Sequence, residues 1–186
     1  MFDIETENVL RELEKTRENF WNVAPSTANF LNMLVKLRNA KNVLELGTSN
    51  GYSAIWLAKA LKETQGKLTT IEFWEKRLLP AKENFKICKV DDIIATRLGS
   101  AKDILVDLIN EGQTFDFVFI DANKSEYVKY FELADKMLVK NGVIVADDIL
   151  THTEKVQPFL DAIQGHASYQ SELLKFDDGL LFAIKS

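Results

Sequence analysis

Residues 43–61, VLELGTSNGYSAIWLAKAL, decide how this 186-residue chain is read. A short apolar run at 43–46, broken only by Glu45, meets a loop bracketed by glycines, Gly47-Thr48-Ser49-Asn50-Gly51. The loop opens into a segment that places Ala54, Ile55, Ala58 and Leu61 on one helical face. Strand, tight turn, helix is the reading. Glycines allow a close approach to the main chain, and the free N–H groups of a helix start favour polar or anionic groups, so a nucleotide-like cofactor is the expected guest. The turn is not the G-x-G-x-x-G of dinucleotide binding and lacks the Lys-Ser/Thr of a phosphate loop, which leaves a dinucleotide oxidoreductase remote. Glu45, inside an apolar strand, needs a partner: backbone N–H groups of the loop or a cationic ligand.

The length suits one domain, 1–186, with N-terminal helices over 1–40 and a core over 42–185. No apolar run approaches the ~20 residues of a membrane span, and the charged N-terminus does not read as a signal peptide, so a cytoplasmic protein without membrane contact is expected. One cysteine, Cys88, excludes an internal disulfide and reads as a small buried side chain. Net charge is −5 with no long Lys/Arg run, which makes nucleic acid an unfavoured partner without excluding a local basic patch.

Outward from the central stretch, residues 3–20 read as one charged helix with a thin apolar stripe. Pro25 and Ser26 read as a break and an N-cap before a helix carrying Phe30, Leu31, Leu34 and Leu37. Beyond it, 67–71 is a second strand ending at Glu72, which follows Gly51 by 21 residues. An acid so placed in a doubly wound sheet accepts hydrogen bonds from ribose hydroxyls. Phe73 and Trp74 come next, read first as core and otherwise as packing on an adenine face. A helix from 75, a strand over 93–98 and a helix over 102–110 lead to FDFVFI, an apolar run as in a buried parallel strand, ending at Asp121. Tyr127, Tyr130, Phe131, Ala134, Met137 and Leu138 share a helical face. Asn141-Gly142 reads as a turn, VIVADD as strand five, and 158–164 as a short helix before two final strands. The expected fold is α/β: a doubly wound, mostly parallel sheet of seven strands, helices on both faces, and one antiparallel strand near the C-terminus.

Ligands of such sheets bind beyond the carboxyl ends of the strands. Strands one, two, four and five deliver Glu45, Glu72, Asp121 and the pair Asp147-Asp148 to that edge, where they repel one another unless cations intervene. Asp121, Asp147 and Asp148 offer oxygens to a hard divalent ion, Mg²⁺ first, with Mn²⁺ or Ca²⁺ as alternatives. Lys124, three residues past Asp121, reaches the same cleft. Beside a metal its charged form is disfavoured, which suits a base toward a substrate hydroxyl.

VLELGTSNGYSA, LTTIE, LGSAKD, FDFVFIDANK, NGVIVADD and DDGLLFAIK, in this order, resemble the class I S-adenosylmethionine-dependent, metal-dependent O-methyltransferases that include catechol and caffeoyl-CoA O-methyltransferases. The resemblance implies a Rossmann-like fold and direct methyl transfer to a hydroxyl of a small vicinal-diol or catechol-like acceptor. It implies that Glu45, Gly47, Thr48 and Ser53 hold the methionine end of the cofactor, Glu72 the ribose, and that Ala101 borders the adenine. Asp121, counted also among the cofactor-binding and catalytic residues, would bind the metal with Asp147 and Asp148, and Lys124 would stand at the base position. Two features depart from the family: position 148 is Asp where Asn is usual, and the acceptor-covering segments are short. An open site, or one roofed by a second copy in a homodimer, is therefore expected. A tRNA nucleoside hydroxyl as acceptor, or a cofactor-binding module without turnover, are the competing readings.

Overall fold

The glycine loop sits at the point where the sheet reverses direction. In the computed structural model, which describes residues 2–186, three helices come first: α1 (Ile4–Lys15), α2 (Arg17–Phe20) and α3 (Pro25–Arg38). They are followed by β1 (Asn42–Leu46), α4 (Tyr52–Thr64), β2 (Lys67–Glu72), α5 (Glu75–Ile87), β3 (Ile94–Leu98), α6 (Ala101–Asn110) and β4 (Phe115–Ile120). A single 3-10 turn (Lys124–Glu126), α7 (Tyr127–Asp135), β5 (Leu138–Ala146), α8 (Thr153–Gln164), β6 (Tyr169–Leu174) and β7 (Leu180–Lys185) complete the chain. The sheet order is β3-β2-β1-β4-β5-β7-β6, and β7 alone runs against its neighbours. β1 pairs in parallel with both β2 and β4, so consecutive βα units wind outward in opposite directions from it. That divergence opens a cleft at the carboxyl ends of β1 and β4.

Alternation along β4 divides the core between the two faces. Phe117 and Phe119 pack with Leu57, Ala58 and Phe85, whereas Val118 and Ile120 pack with Tyr127, Phe131 and Phe159. All four strand residues are fully buried, each contributing about 1.5–3 kcal/mol by leaving water, which fixes the height at which Asp121 emerges. Cys88 is buried, as its sequence context predicts.

Several boundaries differ from expectation for identifiable reasons. The first helix breaks at Thr16, whose hydroxyl donates to Leu13 O, and α2 ends at Trp21 in the left-handed region. Ala24 caps α3 with Pro25 at the first helical position, and Ser26 turns its hydroxyl to Asp177 instead of capping. Met137 and Leu138 lie beyond α7, because Phe115 N takes Met137 O and starts the pairing of β4 with β5. Asn141-Gly142 falls inside β5, where the register with β4 shifts. α8 begins at Thr153 and carries Pro158 within it. Among the described residues, no helix is long and apolar enough to cross a membrane.

Candidate functional site

Gly47 brings the ends of β1 and β4 together. Its φ is +106°, and a Cβ there would stand 1.9 Å from the carbonyl oxygen of Asp121, so only glycine admits this approach. The contact is closed by Asp121 N donating to Leu46 O at 2.9 Å. On the other side Gly47 N and Thr48 N both donate to Ile71 O, tying the loop to β2.

Glu45 is fully buried, and its partners are not those expected: Ser53 Oγ donates at 2.6 Å and Thr70 Oγ1 at 2.5 Å. Thr70 Oγ1 also meets Thr48 Oγ1 at 2.6 Å, so three hydroxyls link this acid to the loop. Burial pushes the Glu45 carboxyl up to about 8, against the pull of the Ser53 and Thr70 hydroxyls. Glu72, at the tip of β2, is held by backbone donors: Ser49 N to Oε2 at 2.8 Å and Trp74 N to Oε1 at 2.9 Å.

These residues border a cavity of about 530 Å³. Gly47, Thr48, Ser53, Glu72 and Ala101 lie on its wall, as do Asp121 and Lys124; Glu45 stands behind Ser53. Phe73 and Trp74 also line the cavity, 66% and 52% exposed, which overturns the core reading of both.

A segment to which the sequence reading gave no role at the site, the end of the first helix and the residues after it, closes one side. Phe20, Trp21, Asn22 and Val23 line the cavity. Phe20 O accepts from Ser49 Oγ at 2.8 Å and from Arg77 Nη1 at 3.3 Å. The Arg77 guanidinium lies 4.4 Å from the Trp21 ring centroid and 5.2 Å from that of Trp74, within cation–π range. Farther along, Arg17 pairs with Asp178 at 2.7 Å, and Thr27 donates to Asp177 at 3.0 Å, so the β6–β7 turn anchors the same segment. Only the paired aromatics Phe20-Trp21 ahead of Pro25 could have hinted at it.

Of the three strand-end aspartates, Asp121 and Asp148 meet around Lys124, and Asp147 lies buried beside them without contact to the lysine. Lys124 Nζ is 2.6 Å from both Asp121 Oδ1 and Asp148 Oδ2, and the three side chains are 13%, 14% and 25% exposed. Asp147 is 3% exposed, and its Oδ1 is buried without a hydrogen-bond partner. Burial, reinforced by the neighbouring Asp121 charge, pushes Asp147 up to about 8. Tyr127 OH donates to Ile120 O at 3.3 Å and to Asp147 O at 3.2 Å, fastening the ends of β4 and β5. Burial by itself would lower the pKa of Lys124, but Asp121, Tyr127 and Asp148 outweigh it and hold the ammonium form above the ordinary lysine range. This reverses the sequence expectation for the lysine: two carboxylates favour its charge in the arrangement seen.

Comparison with known proteins places the chain. The profile of a family described as O-methyltransferase matches residues 3–180. The chain is 41% identical over 129 residues to a catechol O-methyltransferase of Niastella koreensis, covering 69% of this chain and 58% of that protein. It is 35% identical over 154 residues to caffeoyl-CoA O-methyltransferase 1 of Eucalyptus globulus, covering 80% and 61%. It thus spans about three fifths of the length of these curated relatives. Among solved structures, an O-methyltransferase from Bacillus cereus in complex with SAH superposes with a TM-score of 0.88 at 30% identity, covering 100% of this chain and 92% of that one. TomG of Streptomyces achromogenes, involved in tomaymycin synthesis and solved with SAM, also gives 0.88, at 27% identity, covering 100% and 91%. Since the profile match runs from the start of α1 to the first residue of β7 and takes in every segment that borders the cavity, this chain belongs to the O-methyltransferase family.

Proposed function

We propose that the chain is an S-adenosylmethionine-dependent O-methyltransferase acting on a hydroxyl of a small acceptor with neighbouring oxygens, catechol-like in chemistry. The observation that carries the reading is the single cavity whose wall holds both Glu72 beside the glycine loop and the Asp121–Lys124 pair. One end suits a nucleoside and the other a polar acceptor. When bound, S-adenosylmethionine supplies an electrophilic methyl group on its sulfonium.

The methionine end is held along Gly47, Thr48 and Ser53, with Glu45 behind Ser53 orienting its hydroxyl. Glu72 takes the ribose hydroxyls on the lone pairs that Ser49 N and Trp74 N leave free, and Ala101 borders the adenine. The Phe20–Val23 segment and Arg77 exclude water from the cofactor side, which strengthens the hydrogen bonds inside.

The donor chemistry of Asp121, Asp147 and Asp148 fits a hard divalent cation, Mg²⁺ or alternatively Mn²⁺ or Ca²⁺. Three carboxylates converge at two strand ends, and one buried oxygen, Asp147 Oδ1, has no partner. With Lys124 between two of them, no group of three or more His, Cys, Asp or Glu side chains among the described residues is yet spaced to hold an ion. When bound, such an ion stabilises the anionic form of an acceptor hydroxyl. Lys124 lines the cavity and takes the acceptor proton only after it has left the carboxylates and given its own ammonium proton to solvent. Positioning of the acceptor oxygen in line with the methyl group is the larger part of the catalysis. A second copy of the chain is the proposed roof over the acceptor side.

Calorimetric titration with S-adenosylhomocysteine, followed by transfer of labelled methyl to a catechol with Mg²⁺ or with EDTA, tests the reading. We expect binding in both media and transfer only with Mg²⁺. Absence of binding in both would sink the cofactor assignment, and transfer undiminished by EDTA would sink the metal.

A further inference from the structure

We infer that Lys124 is a built-in counter-cation that competes with a divalent ion for Asp121 and Asp148, so that metal entry and release of the lysine toward the cavity are one event. The inference rests on the metal-assisted reading above.

The geometry leaves little room for both cations. Lys124 Nζ lies 2.6 Å from one oxygen of each carboxylate, a separation at which it fills the space between them. A divalent ion bound by oxygens at ~2.0–2.6 Å would need the same lone pairs. The pairing is also sheltered. Lys124 is 13% exposed, its ammonium stands 5.5 Å from the Tyr127 ring centroid, and Tyr127 is fully buried. Asp148 is held in place from outside: its φ is +62°, and Thr151 Oγ1 donates to its second oxygen, Oδ1, at 3.1 Å. Its carboxylate therefore offers Oδ2 to whichever cation stands at the centre.

The identity of residue 148 matters for this reason. An amide at that position would give Lys124 only a neutral acceptor, whereas a carboxylate gives it a second full charge. The same substitution that adds a negative ligand for a metal thus strengthens the metal's internal rival. Asp147 Oδ1, buried and without a partner, is the donor that Lys124 does not reach and that a divalent ion would add to the other two. Binding then has an order. The lysine side chain is freed into the cavity only when the carboxylates have been taken over by the ion.

Mn²⁺ alone, titrated calorimetrically into the wild-type chain, Lys124→Met and Lys124→Gln, tests this. Each variant should bind Mn²⁺ about tenfold more tightly or better, the scale of one sheltered ion pair removed from the competition. If neither variant binds Mn²⁺ more tightly than the wild type, the inference is wrong. A second readout needs no variant: saturating Mn²⁺ should raise the rate at which an amine-acylating reagent modifies Lys124 severalfold, followed by peptide mass spectrometry. An unchanged or slower rate would overturn the competition. S-adenosylhomocysteine titrated into the same three proteins reports separately on the cofactor reading. Its failure to bind would remove that reading while the Mn²⁺ comparison still decided the role of Lys124.

Discussion

Glu45→Gln should make the protein more stable at pH 8 while weakening its cofactor site. The Glu45 carboxyl is fully buried and displaced from its ordinary value of 4.5 to about 8. The folded chain therefore keeps a proton that the unfolded chain releases above about pH 4.5. The sign follows: this group's contribution is fully present below 4.5 and is lost as pH rises toward about 8. At about 1.4 kcal/mol per unit of displacement, the loss across that window is on the order of 5 kcal/mol. Glutamine has the same shape and no charge, and the Ser53 and Thr70 hydroxyls can rotate to meet its amide. Urea unfolding followed by tryptophan fluorescence at pH 5, 6.5 and 8 measures the effect. Wild type and variant should agree within about 1 kcal/mol at the acid end and diverge by roughly 3–5 kcal/mol at pH 8, with the variant ahead. A difference that stays constant across the three pH values would refute the reasoning, because it would show that Glu45 does not hold a proton in the folded chain. Affinity for S-adenosylhomocysteine should fall in the same variant, an exchange of stability for function.

Three further outcomes are expected. Gly47→Ala places a Cβ 1.9 Å from the Asp121 carbonyl oxygen at a φ of +106°, so it should cost more than about 2 kcal/mol in thermal unfolding and abolish S-adenosylhomocysteine binding by calorimetry. Glu72→Gln should weaken that ligand by about 1–3 kcal/mol, the range for hydrogen bonds to a charged group, and unchanged affinity would count against the ribose role. Arg77→Met removes the donor to Phe20 O and the stack on Trp21 and Trp74, each cation–π contact being worth about 0.5–1 kcal/mol. It should raise the ligand's dissociation rate severalfold in stopped-flow fluorescence, and an unaltered rate would mean that Phe20–Val23 does not retain the cofactor.

Much of this protein is readable from short stretches. The β1–loop–α4 unit, the continuous apolar β4 and the strand-end acids Glu72, Asp121, Asp147 and Asp148 all lie where local pattern places them, because side-chain periodicity and turn chemistry act over a few residues. Boundaries fail where a distant partner decides. Met137 leaves α7 because Phe115 claims its carbonyl, and Ser26 leaves its capping position for Asp177.

The amino-acid sequence by itself determined the order of strands and helices, the glycine turn at the switch point and the inventory of acids at the sheet's carboxyl edge. Only the tertiary structure decided who pairs with whom. Glu45 meets Thr70 across neighbouring strands, Arg77 reaches back to Phe20 and Trp21, and Lys124 settles between Asp121 and Asp148. The physical reason is range: periodicity is written residue by residue along the chain, whereas the partner of a buried charge depends on which distant segments the closed sheet brings within about 3 Å.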